Sequence, residues 1–428
     1  MRTGTYRYIY ITAFLLTSVI CITALFAAAL IPQGRIAGNI ARSLPGFVNE
    51  GTYPRLKEGS SSATLDNFTD SLTMMEVLGM NDRNLGAVFS NPLYLQKTDP
   101  MESLVNYAAH PDLEPDGYYV RYWMGFRVSL RLLFSFFNYS QIRRINLLLL
   151  AGLAALSMVS VAKHVNIPSA LGLGICLLLM RPLIIARSFQ YSTCFLIALS
   201  AMPLVPGICQ RKLLSGLFFL LLGMLTQFFD FYSVPALTLC LPLLYLLAIQ
   251  ATSGQTARVG EAACAALSWL GGYVLFWLEK LLLASAFSPL DGLQNGFDEF
   301  LYWMKPRSDS VGGCLGSVFR NVGRTVCPNP YAALVLGALV LALILYAFGL
   351  IRRGRLDGKR VWNPALVFTT VIPFLWMCIA ARPTAHHAFF QYRSLAAVFW
   401  GLCLFVTSTA EAARLRFPAR REKTAQAP

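Results

Sequence analysis

Residues 8–31, YIYITAFLLTSVICITALFAAALI, form a long apolar segment that contains no charged side chain. A helix needs about 20 mostly apolar residues to cross the hydrocarbon core of a membrane, and this segment is long enough. Comparable apolar segments follow along the chain at 143–163, 166–186, 192–209, 213–229, 233–250, 262–285, 331–351, 363–381 and 391–410. The sequence therefore predicts an all-α bundle of about ten transmembrane helices, forming one integral membrane domain over residues 1–428.

The composition supports this class of protein. Of the 428 residues, 56% are hydrophobic and 13% are charged, whereas a soluble domain carries about 25% charged residues. So few charges cannot cover a water-facing surface, which excludes an ordinary soluble enzyme and a disordered chain.

The positions of the charges predict an orientation. With a cytoplasmic N-terminus and alternating spans, the cytoplasmic segments hold a net charge of +12 out of +15, and the rest of the chain holds +3. Short loops rich in Lys and Arg stay in the cytoplasm during insertion. We therefore expect both termini in the cytoplasm, no nucleic-acid partner, and two long external loops at 32–142 and 286–330.

The sequence pattern predicts secondary structure within the first external loop. Residues 69–79 and 102–109 have the pattern of short helices, and aromatic stretches lie at 118–126 and 132–139. Tyr, Trp and Arg favour the membrane interface, so these stretches are predicted to lie there.

Two cysteines stand apart from the others. Cys314 and Cys327 fall in a predicted external segment, whereas the other eight lie in or at the edge of spans. An oxidising exterior would allow them to form a disulfide. The sequence leaves open whether these two cysteines form a disulfide or stay as free thiols.

Three aspartates are candidates for chemistry. Asp66 and Asp70 are spaced i, i+4, so on a helix both carboxylates point to the same side. Two neighbouring carboxylates can hold a metal ion or divide acid and base roles; the alternative is that Asp66 or Thr69 caps the helix that follows. Asp230 lies among aromatic residues between two spans. It is either a functional group or the polar residue that an interfacial turn needs.

Four cations are candidates for binding a phosphate, namely Arg121, Arg187, Lys280 and Arg393. The guanidinium fork of Arg fits a lipid phosphate, and the alternative for Arg121 is a snorkelling side chain on an interfacial helix. Lys280 is adjacent to Glu279, so it either pairs with that carboxylate or reaches a phosphate.

Four uncharged or weakly basic side chains lie near the same predicted face, namely Gln190, Tyr191, His386 and His387. We expect them to contact sugar hydroxyls or phosphate. Adjacent histidines rarely bind one ion, so no metal site is assigned to them.

Several catalytic motifs are absent from the sequence. It contains no P-loop, no GxGxxG motif after a strand, no GxSxG elbow and no HExxH motif. The predicted cytoplasmic segments are too short for a nucleotide-binding domain. Any chemistry is therefore expected in the membrane or at its outer face, with a membrane-borne donor such as a polyprenyl-phosphate or diphosphate sugar.

This layout resembles the GT-C superfamily of polytopic glycosyltransferases. That family has a cytoplasmic N-terminus, many spans, a long first external loop with interfacial helices and an essential acidic residue in that loop. At the level of motifs, five stretches look similar to uncharacterised bacterial membrane proteins associated with surface polysaccharides: 119–125, 187–191, 229–235, 277–280 and 386–393. The first loop has no adjacent acidic pair, so the choice of base stays open.

The resemblance implies a glycosyltransferase of the bacterial cytoplasmic membrane. It would move a sugar from a polyprenyl-phosphate or diphosphate donor to a glycan or lipid-linked acceptor, in cell-surface glycan assembly. Asp66 is the expected base, with Asp70 second and Asp230 as a helper. No cofactor is assigned, and a divalent cation at the carboxylates stays an alternative. The competing hypothesis is a transporter or flippase of a lipid-linked glycan, which typically shows repeats and charges at mid-membrane.

Overall fold

The computed structural model of the chain describes residues 3–80, 86–96, 99–208, 211–253, 259–305 and 363–408, with isolated positions between 316 and 352. The predicted span 331–351 is described only at such isolated positions. Cys314, Cys327 and the residues after 408 lie outside the described residues, so their predicted pairing and orientation stay predictions.

The described chain is almost entirely helical. Its first half contains α1 (Thr3–Ala29), α2 (Gln33–Glu50), α3 (Asn67–Gly79), α4 (Ala87–Ser90), α5 (Pro100–Ala109), α6 (Phe126–Phe134), α7 (Tyr139–His164), α8 (Ile167–Leu179), α9 (Pro182–Ile185) and α10 (Phe189–Ala201). Its second half contains α11 (Val205–Ile208), α12 (Lys212–Phe229), α13 (Ala236–Thr252), α14 (Val259–Phe287), α15 (Gly292–Met304), α16 (Pro364–Ile379), α17 (Ala381–His386), α18 (Ala388–Gln391) and α19 (Leu395–Thr407). Short 3-10 turns occupy Ser61–Ala63, Met202–Leu204 and Tyr392–Ser394, and two antiparallel strands pair Pro92–Leu93 with Gly117–Tyr118.

The helices of the structure confirm the predicted all-α fold class. In the described part of the chain, six segments are long and apolar enough to cross a membrane: Tyr6–Ala29, Tyr139–His164, Phe189–Ile208, Lys212–Phe229, Val259–Phe287 and Ala388–Thr407. Three further apolar helices, Ile167–Leu179, Ala236–Thr252 and Pro364–Ile379, are shorter. These nine segments fall on nine of the predicted spans, and the count of ten spans stays a prediction.

Glycines bring α12 and α14 into backbone contact. A Cβ atom added at Gly223 would lie 2.0 Å from the carbonyl oxygen of Trp269, and one added at Gly272 would lie 2.1 Å from that of Leu220. Small residues allow such close approach between apolar helices, where van der Waals packing drives association. The α12–α14 pair therefore forms a fixed wall of the bundle.

The described residues between 30 and 138, here called the loop unit, pack together on one end of the bundle. Helices α3 and α5 confirm the short helices predicted at 69–79 and 102–109. Helix α2 buries Ile36, Ile40 and Phe47 against α3 and α6. The apolar core of the loop unit also includes Ile142, Phe189 and Phe231 of the bundle, so it continues into the interface between the two.

Buried cations join the helices of the loop unit to each other and to the bundle. Arg127 and Arg131, which lie between the two predicted interfacial stretches, are fully buried. Arg127 forms an ion pair with Glu76 at 3.3 Å, and Arg131 donates to the carbonyl oxygens of Ala28 and Val77, both at 2.7 Å. The Arg127–Glu76 pair thus joins two helices within the loop unit, whereas Arg131 also joins the loop unit to α1 of the bundle.

Candidate functional site

A polar cavity of about 230 Å³ lies where the loop unit meets the bundle. The loop unit and the ends of α10, α12, α15 and α18 contribute to its wall. It is lined by Tyr53, Asp66, Phe68, Thr69, Leu72, Tyr119, Arg121, Tyr122, Gln190, Phe231, Tyr232, Glu299, Trp303, Pro383, His387, Phe390 and Gln391. Of the predicted site residues, the structure brings Asp66, Arg121, Gln190 and His387 together here.

Asp66 is the buried carboxylate of this cavity. It is the N-cap residue of α3, and its side chain accepts hydrogen bonds from the backbone N–H of Thr69 at 3.0 Å and from the Thr69 hydroxyl at 2.8 Å. Burial raises the pKa of Asp66 above its ordinary value, and the bonds from Thr69 act in the opposite direction. Asp66 therefore both caps the helix and lines the cavity, with its basicity increased by burial.

Two glutamine amides and one imidazole face the same space. The Oε1 atoms of Gln190 and Gln391 have no hydrogen-bond partner within the described structure, although both side chains are more than nine-tenths buried. Burial, assisted by the nearby His386, lowers the pKa of His387 to about 4, so this imidazole is neutral at physiological pH. A buried amide oxygen without a partner is costly, and a hydroxyl-rich ligand would satisfy it.

Arg121 supplies the positive charge of the cavity. Its guanidinium lies 4.5 Å from the ring centroid of Tyr119 and forms a 3.4 Å ion pair with Glu299 of α15. The Nε atom of Arg121 is buried and has no partner among the described residues. Arg121 thus has donor capacity left for an anionic ligand.

An apolar groove of about 370 Å³ adjoins the polar cavity. Its wall comes from α14, α15 and α16, including Val274, Trp277, Phe300 and Trp376. Five residues line both spaces, namely Arg121, Tyr232, Glu299, Trp303 and Pro383. A long apolar chain could therefore lie in the groove while its polar head reaches Asp66.

Asp70 lies outside the lining of the cavity. Its carboxylate is fully buried, accepting from the hydroxyl of Tyr139 at 2.5 Å and from the backbone N–H of Phe189 at 3.1 Å. Asp66 precedes the helix, with φ −113° and ψ 70°, so the same-face spacing of a helix does not apply to this pair. Asp70 instead joins α3 to the N-terminal ends of α7 and α10.

We expect Asp70→Asn to weaken the pH dependence of stability. Burial raises the pKa of Asp70 to about 7, against the charge of Arg143, from an ordinary 3.8. Because the folded protein favours the neutral carboxyl, its stabilising contribution is complete below the ordinary pKa and is lost as pH rises through about 7. Thermal unfolding in detergent between pH 5 and pH 8 measures this slope, and an unchanged slope in Asp70→Asn would contradict it.

Asp230 also lies behind the cavity. It ends α12, accepting from the backbone N–H of Ser233 at 2.9 Å and from the Ser233 hydroxyl. Burial raises its pKa to about 6. Its neighbours Phe231 and Tyr232 line the cavity, so Asp230 shapes the turn that presents them.

The other predicted cations do not line the cavity. Lys280 is buried and donates to the carbonyl oxygen of Phe89, whereas the adjacent Glu279 accepts from Ser18. Consecutive residues of a helix point apart, which is why these two do not pair. Arg187 is exposed, and Arg393 is buried with its guanidinium 4.3 Å from the ring centroid of Tyr191.

Tyr191 and His386 complete the predicted set. Tyr191 is buried behind Phe390 and donates to the carbonyl oxygen of Thr64 at 3.3 Å. His386 is exposed, and its ring centroid lies 6.3 Å from that of His387. Neither lines the cavity. In the part of the chain that the structure describes, no three His, Cys, Asp or Glu side chains form a group that could hold a metal ion.

The residues that sequence reasoning missed come mainly from α15 and the segment before α3. Glu299 and Trp303 are four residues apart on α15, and Tyr53 lies near Asp66. The i, i+4 spacing of Glu299 and Trp303 in an amphipathic helix is the sequence feature that could have indicated that both lie on the same face of α15. No protein-family model, curated protein or solved structure matches this chain.

Proposed function

We propose that this chain is a multi-pass membrane glycosyltransferase. It moves a sugar from a polyprenyl-phosphate or polyprenyl-diphosphate donor to a glycan or lipid-linked acceptor. The observation that carries the proposal is the meeting of the polar cavity and the apolar groove at Arg121. A lipid-linked sugar has the same two parts, an apolar chain and a polar head joined by a phosphate.

The proposal assigns a location and a class. The distribution of Lys and Arg favours cytoplasmic termini in a bacterial cytoplasmic membrane, with the cavity on the outer face. The predicted resemblance to the GT-C superfamily fits this arrangement, because an acidic residue after the first span would act on a lipid-borne donor.

The proposed reaction uses two charged residues. Asp66 takes the proton of the acceptor hydroxyl as the hydroxyl oxygen bonds to the anomeric carbon. The bond between that carbon and the phosphate oxygen breaks, and the electron pair leaves with the phosphate. Arg121 stabilises the charge that develops on the phosphate, with its unpartnered Nε as a donor.

The neutral groups of the cavity suit the sugar. The free amide oxygens of Gln190 and Gln391 can accept bonds from sugar hydroxyls, and the rings of Tyr53 and Phe68 provide an apolar face. Neutral His387 can donate or accept. In this proposal, the predicted aspartates and cations that lie outside the cavity have a structural role.

We expect Val274→Trp to impair donor binding and Leu275→Trp to leave it unchanged. Val274 lines the groove, and its neighbour Leu275 is 53% exposed and does not line it. An indole in the groove occupies the volume of the lipid chain. Binding of a synthetic C20 prenyl phosphate to the detergent-purified protein measures the effect, with a loss of about tenfold expected for Val274→Trp alone.

Equal binding by both tryptophan variants would contradict the groove assignment. The competing flippase hypothesis is tested by the same purified protein in vesicles. Lipid-linked glycan that crosses the bilayer without sugar transfer would favour the flippase, and transfer without crossing would favour the transferase.

A further inference from the structure

A second apolar groove lies on the opposite group of helices. Its volume is about 330 Å³, and α7, α8, α9 and α10 form its wall. Along α7 it runs from Leu147 to Met158, about 16 Å at the helical rise. That length is close to half of the roughly 30 Å hydrocarbon core, which is the reach of one acyl chain in one leaflet.

Basic side chains surround the outer end of this groove. Arg144 lies one turn before Leu147 on α7, and Arg187 follows the groove residues Pro182, Leu183 and Ile185 closely. The side-chain amide of Asn146 donates to the carbonyl oxygen of Ala186 at 2.9 Å, which brings these two arginines to the same end.

These arginines have no protein counter-charge. Arg144 and Arg187 are exposed, and within the described residues neither side chain has a hydrogen-bond or ion-pair partner. The Arg181 side chain at the same turn donates to the hydroxyl of Ser60, at 2.9 Å. Cations without protein partners at the end of an apolar groove are complementary to a lipid phosphate and its chain.

We propose that this groove is a binding site for an anionic phospholipid of the membrane, with an acyl chain along α7 and the phosphate between Arg144 and Arg187. The site is separate from the cavity of Asp66 and does not depend on the proposed transferase activity. The edge of the groove is accessible from outside the protein, because Leu178 and Leu183 are 68% and 62% exposed.

The test compares palmitoyl-oleoyl phosphatidylglycerol with palmitoyl-oleoyl phosphatidylcholine, which share their chains, by native mass spectrometry of the purified protein. We expect the wild type to bind the anionic lipid about tenfold more tightly, and the double variant Arg144→Gln, Arg187→Gln to lose this preference. Arg35→Gln, which removes an exposed arginine of α2, is expected to keep it. Equal binding of both lipids by the wild type, or an unchanged preference in the double variant, would overturn the proposal.

A second pair of variants tests the chain position. Ala154 lines the groove and the adjacent Ala155 does not, so Ala154→Phe is expected to lower binding of the anionic lipid and Ala155→Phe to leave it unchanged. Thermal unfolding without added lipid checks that both variants fold. Glycerol 3-phosphate at the same concentration is expected not to compete, and competition by it would show a phosphate site without a lipid chain, against the proposal.

Discussion

Asp66→Asn is expected to abolish sugar transfer while leaving the protein as stable as the wild type. The carboxylate is the proposed base, and general base catalysis contributes about 10² to 10⁴-fold to a rate. Asn accepts the same cap bond from the Thr69 N–H, and Asn and Asp are about equally good N-cap residues. The substitution therefore removes the chemistry and keeps the helix start.

Asp66→Ala is the matched control for the structural role of this residue. It removes both the base and the cap, so it should lose the same activity and in addition about 0.5–2 kcal/mol of stability. The measurement is the sugar content of the surface glycan in cells that carry each variant as the only copy, together with the thermal unfolding of the purified proteins. Transfer retained by Asp66→Asn would remove Asp66 as the base.

Glu76→Ala is expected to cause the largest loss of stability. Glu76 is 1% exposed and lies 3.3 Å from Arg127, whose other bonds reach the carbonyl oxygens of Val88 and Met124. Burial raises the pKa of Glu76 to about 7, against the charges of Arg127 and Lys280. Removing this carboxylate leaves the buried guanidinium of Arg127 without its acidic partner, and breaking a buried pair costs about 3–5 kcal/mol.

The matched control is Glu102→Ala, which removes an exposed carboxylate from α5 in the same loop unit. A surface change of this kind usually stays within about 0.5 kcal/mol. The free energy of unfolding, measured by denaturant titration in detergent, compares the two. Similar values for both variants would mean that this ion pair does not stabilise the packing of α3 against α6.

Hydropathy was sufficient to predict most of the fold, because each apolar segment encodes its own helix. Helix α2 was not predicted, because its buried residues Ile36, Ile40 and Phe47 do not form a continuous apolar segment. Polar residues and Pro45 lie between them. The break between α8 and α9 was also missed. It occurs at Arg181, which has φ 59°, a left-handed conformation that the sequence gives little reason to expect.

The site was predicted in part. Asp66, Arg121, Gln190 and His387 meet in the cavity, because each lies at the loop-unit end of a helix or within the loop unit itself. Lys280 and Arg393 were predicted to bind a phosphate, but they bond to backbone carbonyl oxygens inside the protein. Which buried cation meets a ligand and which meets a carbonyl depends on tertiary packing, and a single sequence does not encode that locally.

The contribution of α15 shows the same limit. Glu299 forms an ion pair with Arg121 where the cavity and the groove meet, although the two residues are far apart in sequence. Nothing near Arg121 in the sequence signals this partner. The polar cavity could therefore be anticipated from the loop unit, whereas its connection to an apolar groove could not.

The most direct test of the central claim is an electron cryo-microscopy structure of the full chain in lipid nanodiscs with a synthetic C20 prenyl phosphate. The proposal expects the prenyl chain in the groove beside Val274 and Trp277, and the phosphate within hydrogen-bond distance of Arg121, next to Asp66. A phosphate bound at another part of the protein, with the cavity of Asp66 empty of ligand, would contradict it.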